Sequence, residues 1–247
     1  MKASDYIVSF ISERGVDTVF GYIGGMITHL VDSLARSNDV KFIQTYHEQT
    51  AAIAAEGYAI ENGKFGVAIS TSGPGATNMM TGIADAYFDS IPVLYITGQV
   101  NSYEYKYDKP IRQQGFQETD IISIVKPITK YAAFVDDAKN LRYELEKAIH
   151  IATTGRKGPV LLDIAMNVQR TDINPDELLG YKDDVNPIEE KFDLTEIVDL
   201  FSKSKRPMVL LGAGCIGDEV QKHLENFIFN HEIPVVTSLM GRGAIDE

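Results

Sequence analysis

The chain has 247 residues, of which 44% are hydrophobic, and its formal net charge is -12. This length allows one large domain, or one domain and part of another, and the hydrophobic content excludes a disordered chain. Because an acidic protein repels phosphate backbones and anionic lipids, we expect no nucleic acid and no membrane among its partners. Cys215 is the only cysteine, the N-terminus lacks a signal-peptide pattern, and no apolar run approaches ~20 residues. We therefore expect a cytoplasmic protein without a transmembrane helix.

Apolar runs rich in β-branched residues alternate with amphipathic stretches along the first two thirds of the chain. We predict strands near residues 18–21, 41–45, 65–70, 92–97, 129–135 and 159–164. Between them we predict helices near residues 3–14, 25–37, 49–62, 76–89 and 138–154. Strands separated by helices of this length favour an α/β fold with a doubly wound, mostly parallel sheet.

The composition changes between residues 171 and 192, where seven acidic residues meet only two basic ones. This stretch lacks a clear period and contains Pro175, Gly180 and Pro187, so we predict an acidic linker. It divides a domain of residues 1–170 from a second region of residues 193–247. In that region we predict helices near 194–202 and 218–230 and strands near 208–211 and 234–238. A single β-α-β unit leaves sheet edges open, so we expect a truncated, Rossmann-like second domain.

Residues 212–217, Gly-Ala-Gly-Cys-Ile-Gly, match the Gly-x-Gly-x-x-Gly pattern of dinucleotide-binding folds. A dinucleotide site also needs an acidic residue at the end of the next strand, about 20 residues further on. The next predicted strand ends at Ser238 without one, which favours a Rossmann-like domain without NAD over an oxidoreductase. The five histidines do not group at ligand spacing, so we predict no metal site within the chain.

Glu48 lies between an apolar strand and a helix rich in small residues, within the sequence Tyr46-His47-Glu48-Gln49. Position alone favours an acid that stabilises the first turn of that helix, worth ~0.3–1 kcal/mol. The next strand ends in a glycine turn, residues 70–78, Ser-Thr-Ser-Gly-Pro-Gly-Ala-Thr-Asn. Because the carboxyl ends of parallel strands meet at one edge of a sheet, Glu48 and this turn are expected to lie at a common site.

These two motifs and their spacing resemble the pyrimidine-binding domain of thiamine-diphosphate enzymes, and the acetolactate synthase group in particular. The resemblance covers nearly all of residues 1–169 and continues through residues 207–243. It implies that Glu48 is catalytic, because the family's glutamate bonds N1' of the aminopyrimidine and so promotes loss of the C2 proton. It also implies that the cofactor ring is lined by residues of the glycine turn and by the end of the following strand, namely Gly73, Pro74, Gly75, Asn78 and Gln99.

The same resemblance predicts a substrate pocket formed by Ile23, Gly24, Gly25, Phe116 and Gln117. Acetolactate synthases carry proline where this chain has Ile23, and their Pro-Lys-Asp is replaced here by Ala-Met-Asn at residues 165–167. The loop of residues 101–115 is about six residues longer than is usual in that group. We leave open whether it is a solvated surface loop or a substrate-specific one. These departures weaken the expectation of two pyruvates as substrates.

By resemblance, the cofactor is thiamine diphosphate, and Mg²⁺ is held by a further domain whose Gly-Asp-Gly segment does not occur in this chain. The position of Arg156 contacts FAD in flavin-containing relatives, so the resemblance leaves open FAD as a second cofactor. The resemblance further implies a homodimer or tetramer and a carboligase that decarboxylates a 2-oxo acid and adds the product to an acceptor. Two alternatives stay open: a decarboxylase or C–C lyase on another 2-oxo acid, and a non-catalytic binding or assembly module.

Overall fold

The computed structural model describes residues 1–183 and 192–245. The chain divides into two compact units, Met1–Asp183 and Asp184–Glu247. Within the described residues, no helix is both long and apolar enough to cross a bilayer.

The first unit is built on a six-stranded sheet in which every strand pair is parallel. The order across the sheet is β2-β1-β3-β4-β6-β5. The strands are β1 Thr18–Gly21, β2 Lys41–Gln44, β3 Gly66–Ser70, β4 Val93–Gln99, β5 Tyr131–Val135 and β6 Val160–Ala165. This confirms the predicted α/β fold and its parallel sheet.

The described part of the first unit contains eight α-helices. They are α1 Ala3–Glu13, α2 Thr28–Arg36, α3 Glu48–Asn62, α4 Pro74–Asn78, α5 Met80–Asp89, α6 Ile121–Val125, α7 Leu141–Thr153 and α8 Met166–Arg170. Of these, α1 precedes β1, α8 follows β6 and the others lie between strands. Four of the eight differ from the sequence prediction. The helix expected at residues 76–89 is divided at Met79 into α4 and α5, and α6 and α8 were not predicted at all.

Two apolar clusters cover the two faces of this sheet. One joins α1, α2 and α7 to the sheet, with Phe10, Leu30 and Leu145 among its buried members. The other joins α3, α5 and α6 to the opposite face and includes Met79 and Tyr95. Every residue of β3, β4 and β6 is buried, as expected for central strands of a parallel sheet covered by helices on both sides.

The residues that follow β6 pack on the first unit rather than forming an independent linker. The backbone N–H of Ala3 donates to the Thr171 carbonyl at 2.9 Å. The backbones of Lys2 and Asp172 form an isolated antiparallel β-bridge. Tyr181 stacks edge-on against Tyr143 of α7. The predicted acidic linker, residues 171–192, therefore differs from the structure in its part up to residue 183, and residues 184–191 lie outside the described residues.

The second unit contains α9 Thr195–Lys203, β7 Val209–Leu211, α10 Asp218–His231 and β8 Val235–Thr237, with β7 and β8 paired in parallel. Among its described residues, the buried apolar ones are Leu211, Ile228, Ile233 and Ala244. The Gly-x-Gly-x-x-Gly segment follows β7 as a short 3-10 turn, Ala213–Cys215, and β8 ends without an acidic residue. Cys215 is a free thiol.

Candidate active site

The sheet reverses its winding direction between β1 and β3, which are neighbours although β2 lies between them in the chain. In open α/β sheets, ligands bind outside the carboxyl ends of the strands at such a switch point. Two turns border this crevice. One follows β1 at residues 22–25, and the other follows β3 at residues 71–75.

Glu48 is the first residue of α3, and only 7% of its surface is exposed. The helix is capped by His47, whose Nδ1 accepts from the backbone N–H of Gln49 at 3.1 Å. His47 thus supplies the side-chain cap, while Glu48 lies in the first turn of the helix, as its position predicts. Oε2 of Glu48 accepts from the Asn78 amide at 3.0 Å, whereas no hydrogen bond to Oε1 occurs among the described residues. One oxygen is thus oriented and the other remains available as an acceptor.

The glycine turn brings backbone close to this carboxylate. A methyl group added at Gly75 would lie 2.8 Å from Cγ2 of Thr71 and 3.2 Å from Oε1 of Glu48. Pro74 occupies the first turn of α4, a position that proline favours, and is exposed. Asn78 closes the same helix, so one short element carries three of the predicted cofactor-binding residues.

The turn after β1 is tied to the glycine turn through Thr71. The backbone N–H of Met26 donates to the Thr71 hydroxyl at 3.1 Å, and a methyl group at Gly24 would lie 2.4 Å from Cβ of Thr71. Gly25 faces open space, and Ile23 is 50% exposed. The predicted pocket residues of this turn therefore lie at the crevice, with the Ile23 side chain uncovered.

Phe116 and Gln117 approach the same crevice from the segment after β4. Gln117 has a φ of +58°, a left-handed conformation that is strained for a residue with a Cβ. A methyl group at Gly73 would lie 2.9 Å from the Gln117 carbonyl oxygen, so these two backbones are in contact. Phe116 is 75% exposed beside them. The structure thus brings Gln117 to the glycine turn, and its role in a substrate pocket stays a prediction.

Gln99 is placed differently from its prediction as a residue facing the cofactor ring. Only 1% of it is exposed. Its amide donates to Asp163 Oδ2 at 2.8 Å and to the Thr119 carbonyl at 2.8 Å. Its own carbonyl accepts from the N–H of Val100 at 3.0 Å. All polar atoms of the side chain are therefore engaged inside the first unit.

Asp163, on β6, explains this orientation of Gln99. It is almost fully buried and also accepts from the Thr97 hydroxyl at 2.7 Å. Burial raises the pKa of Asp163 to about 7, while the hydrogen bonds from Thr97 and Gln99 act in the opposite direction. A buried carboxyl needs such donors, and they come from the adjacent strand β4.

Sequence reasoning missed Thr71 and Asp163, although each carries a signal. Thr71 directly follows a strand at the switch point, where a hydroxyl can join two turns. Asp163 is an acidic residue within an otherwise apolar strand. Such a residue needs partners, and here the partners fix Gln99.

A separate cavity of about 290 Å³ lies at the amino ends of β4, β5 and β6, at the edge of the sheet opposite to Glu48. It is lined by Tyr87, Phe88, Lys130, Arg156 and Lys157. Arg156 donates to the Ser90 hydroxyl at 2.7 Å, and Lys130 donates to the Thr154 carbonyl at 2.8 Å. The strands separate this cavity from Glu48 by roughly 15–20 Å, at about 3.3 Å per residue.

Comparison with known proteins finds a family model that matches each of the two units. A family model described as "Thiamine pyrophosphate enzyme, N-terminal TPP binding domain" matches residues 1–124. A second model, "Thiamine pyrophosphate enzyme, central domain", matches residues 194–247. The two matches fall in the first and the second unit respectively.

Curated relatives that match almost the whole chain are acetolactate synthases. The chloroplastic acetolactate synthase of Arabidopsis thaliana is 38% identical over 98% of this chain and 36% of that protein. The acetolactate synthase large subunit of Corynebacterium glutamicum is 38% identical over 100% of this chain and 39% of that protein. The probable large subunit of Methanocaldococcus jannaschii is 38% identical over 100% of this chain and 42% of its own length.

The chain thus spans about two fifths of the length of these curated relatives. Its matched regions include Glu48, the glycine turn and the segment that carries Gln117. On the match of the N-terminal domain model to half of its residues, the chain belongs to the thiamine pyrophosphate enzyme family.

Proposed function

We propose that this chain is part of an acetolactate synthase-like carboligase, which decarboxylates a 2-oxo acid and transfers the remaining carbons to an acceptor. The observation that carries the proposal is the state of Glu48. Its carboxylate is buried, oriented by Asn78 through Oε2, and open at Oε1 beside a glycine turn. Such a group can accept a hydrogen bond from a ring nitrogen and share a proton with it.

The residues at the crevice fit the pyrimidine part of thiamine diphosphate. The missing Cβ at Gly75 leaves room beside Oε1, where a methyl group would crowd the carboxylate. Asn78 fixes the plane of the Glu48 carboxyl group, so that Oε1 presents a lone pair to the crevice. When bound, thiamine diphosphate supplies the nucleophilic carbon that attacks the keto group of the substrate.

Glu48→Gln tests the assignment through hydrogen–deuterium exchange at C2 of bound thiamine diphosphate, measured by NMR on the full-length enzyme. Gln keeps the shape of the side chain but cannot hold the proton, so we expect exchange to slow by about 10²–10⁴-fold. Glu61→Gln on the exposed side of the same helix is the matched control and leaves exchange unchanged. Exchange at the wild-type rate in Glu48→Gln would falsify the catalytic role and favour the non-catalytic binding module.

The choice between a carboligase and a simple decarboxylase or C–C lyase depends on the pocket. Ile23 and Phe116 leave apolar surface uncovered at the crevice, which suits the methyl or alkyl group of a 2-oxo acid or of its acceptor. We assign the carboligase reaction because the relatives named above are acetolactate synthases. Product analysis with pyruvate and with longer 2-oxo acids separates these reactions.

The remaining cofactors and partners are proposals as well. Mg²⁺ is proposed to be held by a further domain, as the family resemblance implies. FAD is proposed at the cavity that contains Arg156, because aromatic and cationic side chains together suit a flavin nucleotide. Because this cavity lies far from Glu48, we propose that FAD bound there has a structural role rather than a catalytic one. Co-purification of a flavin with the protein tests this cofactor.

Assembly is proposed to be a homodimer or tetramer through the first unit. The outer sides of α3 and α5 leave large apolar side chains uncovered, among them Ile53, Ile60 and Phe88. Apolar patches of this kind mark contact surfaces between proteins. A cytoplasmic location stays a proposal that is supported by the single free cysteine.

A further inference from the structure

Glu118 is a buried carboxylate whose hydrogen-bond donors all come from the backbone of one loop. It is 5% exposed. Its Oε1 accepts from the N–H of Lys106 at 2.9 Å. Its Oε2 accepts from the N–H of Gln114 at 2.7 Å and from the N–H of Gly115 at 3.0 Å. The carboxylate thus accepts three hydrogen bonds from backbone N–H groups. Hydrogen bonds to a charged acceptor are stronger than those between neutral groups.

These donors belong to both arms of the loop of residues 101–115. Lys106 lies on the arm that leaves β4, and Gln114 and Gly115 lie on the arm that returns. A single side chain thus joins the two arms near the base of the loop. The loop is therefore ordered by the protein itself and differs from a freely solvated surface loop.

The arm of the loop that leaves β4 rests on the carboxyl ends of β5 and β6. Asn167, just after β6, accepts from the N–H of Ser102 at 2.7 Å. The ring of Tyr105 stacks on Phe134 of β5 with centroids 4.6 Å apart, and the Tyr107 hydroxyl donates to Asp136 at 3.0 Å. The loop therefore covers the half of the carboxyl edge next to the crevice that contains Glu48.

Gln117 lies between two fixed points of this structure. On one side Glu118 binds the backbone of Gly115. On the other side Gln99 binds the Thr119 carbonyl and is itself anchored by Asp163. Gln117 holds its strained, left-handed backbone against Gly73 between these two anchors. A strained residue persists only where its surroundings determine its conformation.

We propose that Glu118 is a positioning residue: it closes the base of the 101–115 loop and thereby holds Gln117 against the Gly73 turn for recognition of the 2-oxo acid. The inference rests on the proposed function for its substrate. The ordering of the loop by Glu118 can be measured without any substrate. It gives the long loop a role in the site that neither the fold nor the family assignment specifies.

The first measurement is limited trypsin digestion of the full-length enzyme, followed by mass spectrometry. The loop offers cleavage sites after Lys106 and Arg112, whereas Lys109 is protected by Pro110. In Glu118→Gln, one acceptor oxygen is replaced by an NH₂ group that faces a backbone N–H donor, so a hydrogen bond is lost. The loop should then open locally more often, and cleavage at both sites should rise about tenfold. Asp108→Asn, which removes an exposed charge from the same loop, is the matched control and leaves the rate unchanged.

The second measurement separates positioning from simple stability. In Glu118→Gln we expect the KM for the 2-oxo acid to rise about tenfold through lost orientation, while C2 exchange of thiamine diphosphate stays at the wild-type rate. Glu118→Asp, which keeps the charge, should show a smaller change in both digestion and KM, and it replaces Glu118→Gln if that variant does not fold. Unchanged digestion overturns the loop closure, and faster digestion with an unchanged KM overturns the link to Gln117. If C2 exchange does not depend on Glu48, the proposed function fails instead, and the digestion result stands by itself.

Discussion

Glu56 is a carboxyl group that the fold keeps neutral near physiological pH. It lies on the buried side of α3, where it is 4% exposed, and its Oε1 has no hydrogen-bond partner within the described residues. Burial is the main cause that raises the pKa of Glu56 to about 8, and the negative charges of Asp85 and Asp89 add to it. The unfolded chain releases this proton near its ordinary value of 4.5. Stability is therefore lost as the pH rises between these two values.

Replacement of Glu56 by Gln removes this titration while it keeps the shape of the side chain. Relative to the wild type, the free energy of unfolding of Glu56→Gln should increase as the pH rises from about 4.5 to about 8, by up to about 1.4 kcal/mol per pH unit, and then stay constant. Urea unfolding at several pH values measures this difference. Glu61→Gln, at an exposed position on the same helix, is the matched control. A difference between Glu56→Gln and wild type that does not vary with pH contradicts the prediction.

Single residues also show how far the site could be predicted from the sequence. Glu48, Gly75 and Asn78 come together because the ends of parallel strands meet at one edge, so their proximity followed from motif order alone. The direction of Gln99 did not follow, because it depends on Asp163, which lies far along the chain. A buried carboxyl group needs hydrogen-bond donors from neighbouring side chains. Which donors these are becomes clear only from the pairing of β4 with β6 in three dimensions.

The secondary-structure elements were predictable where an apolar period is long. β1 was predicted at its observed residues, and α3 begins within one residue of the prediction. Short elements were missed, since α6 and α8 each have five residues, about one and a half turns at 3.6 per turn, too few to show a period. The break at Met79 is also invisible in the sequence, because the apolar pattern continues from α4 into α5.

Two helical glycines provide a matched test of how α3 and α5 pack. Gly57 on α3 is exposed, and a methyl group there would meet nothing within 4 Å. Gly82 on α5 is buried, and a methyl group there would lie 2.5 Å from Cβ of Ala52 on α3. The same substitution therefore probes helix propensity at one position and close packing at the other.

We expect Gly57→Ala to stabilise the protein by about 0.5–1 kcal/mol, because alanine lowers the entropy cost of a helix. We expect Gly82→Ala to destabilise it by about 1–3 kcal/mol, because the two helices would have to move apart. Urea unfolding of both variants beside the wild type gives the two values. If Gly82→Ala were as stable as Gly57→Ala, the close contact between α3 and α5 would be absent in solution.

At the scale of the whole molecule, the two units differ in how completely their sheets are covered. In the first unit, β3, β4 and β6 are buried between two layers of helices. In the second unit, Leu210 of β7 is 68% exposed, and Ile197 and Leu200 of α9 are 62% and 63% exposed. A two-stranded sheet with so much apolar surface in solvent is marginally stable. The free energy of local opening should therefore be much lower in the second unit.

Hydrogen exchange measures both units in one sample of the 247-residue chain. Amides of β4 and β6 should exchange only through global unfolding, whereas amides of β7 and β8 should exchange at least about a thousandfold faster through local opening. The short helix α6 serves as an internal standard for a small element within the first unit. Equal protection of β7 and β4 would mean that the second unit is stabilised by contacts beyond those between its described residues. In a longer chain whose added residues cover β7 and β8, the same amides should become protected while those of β4 keep their rates, because the first sheet is already enclosed on both faces.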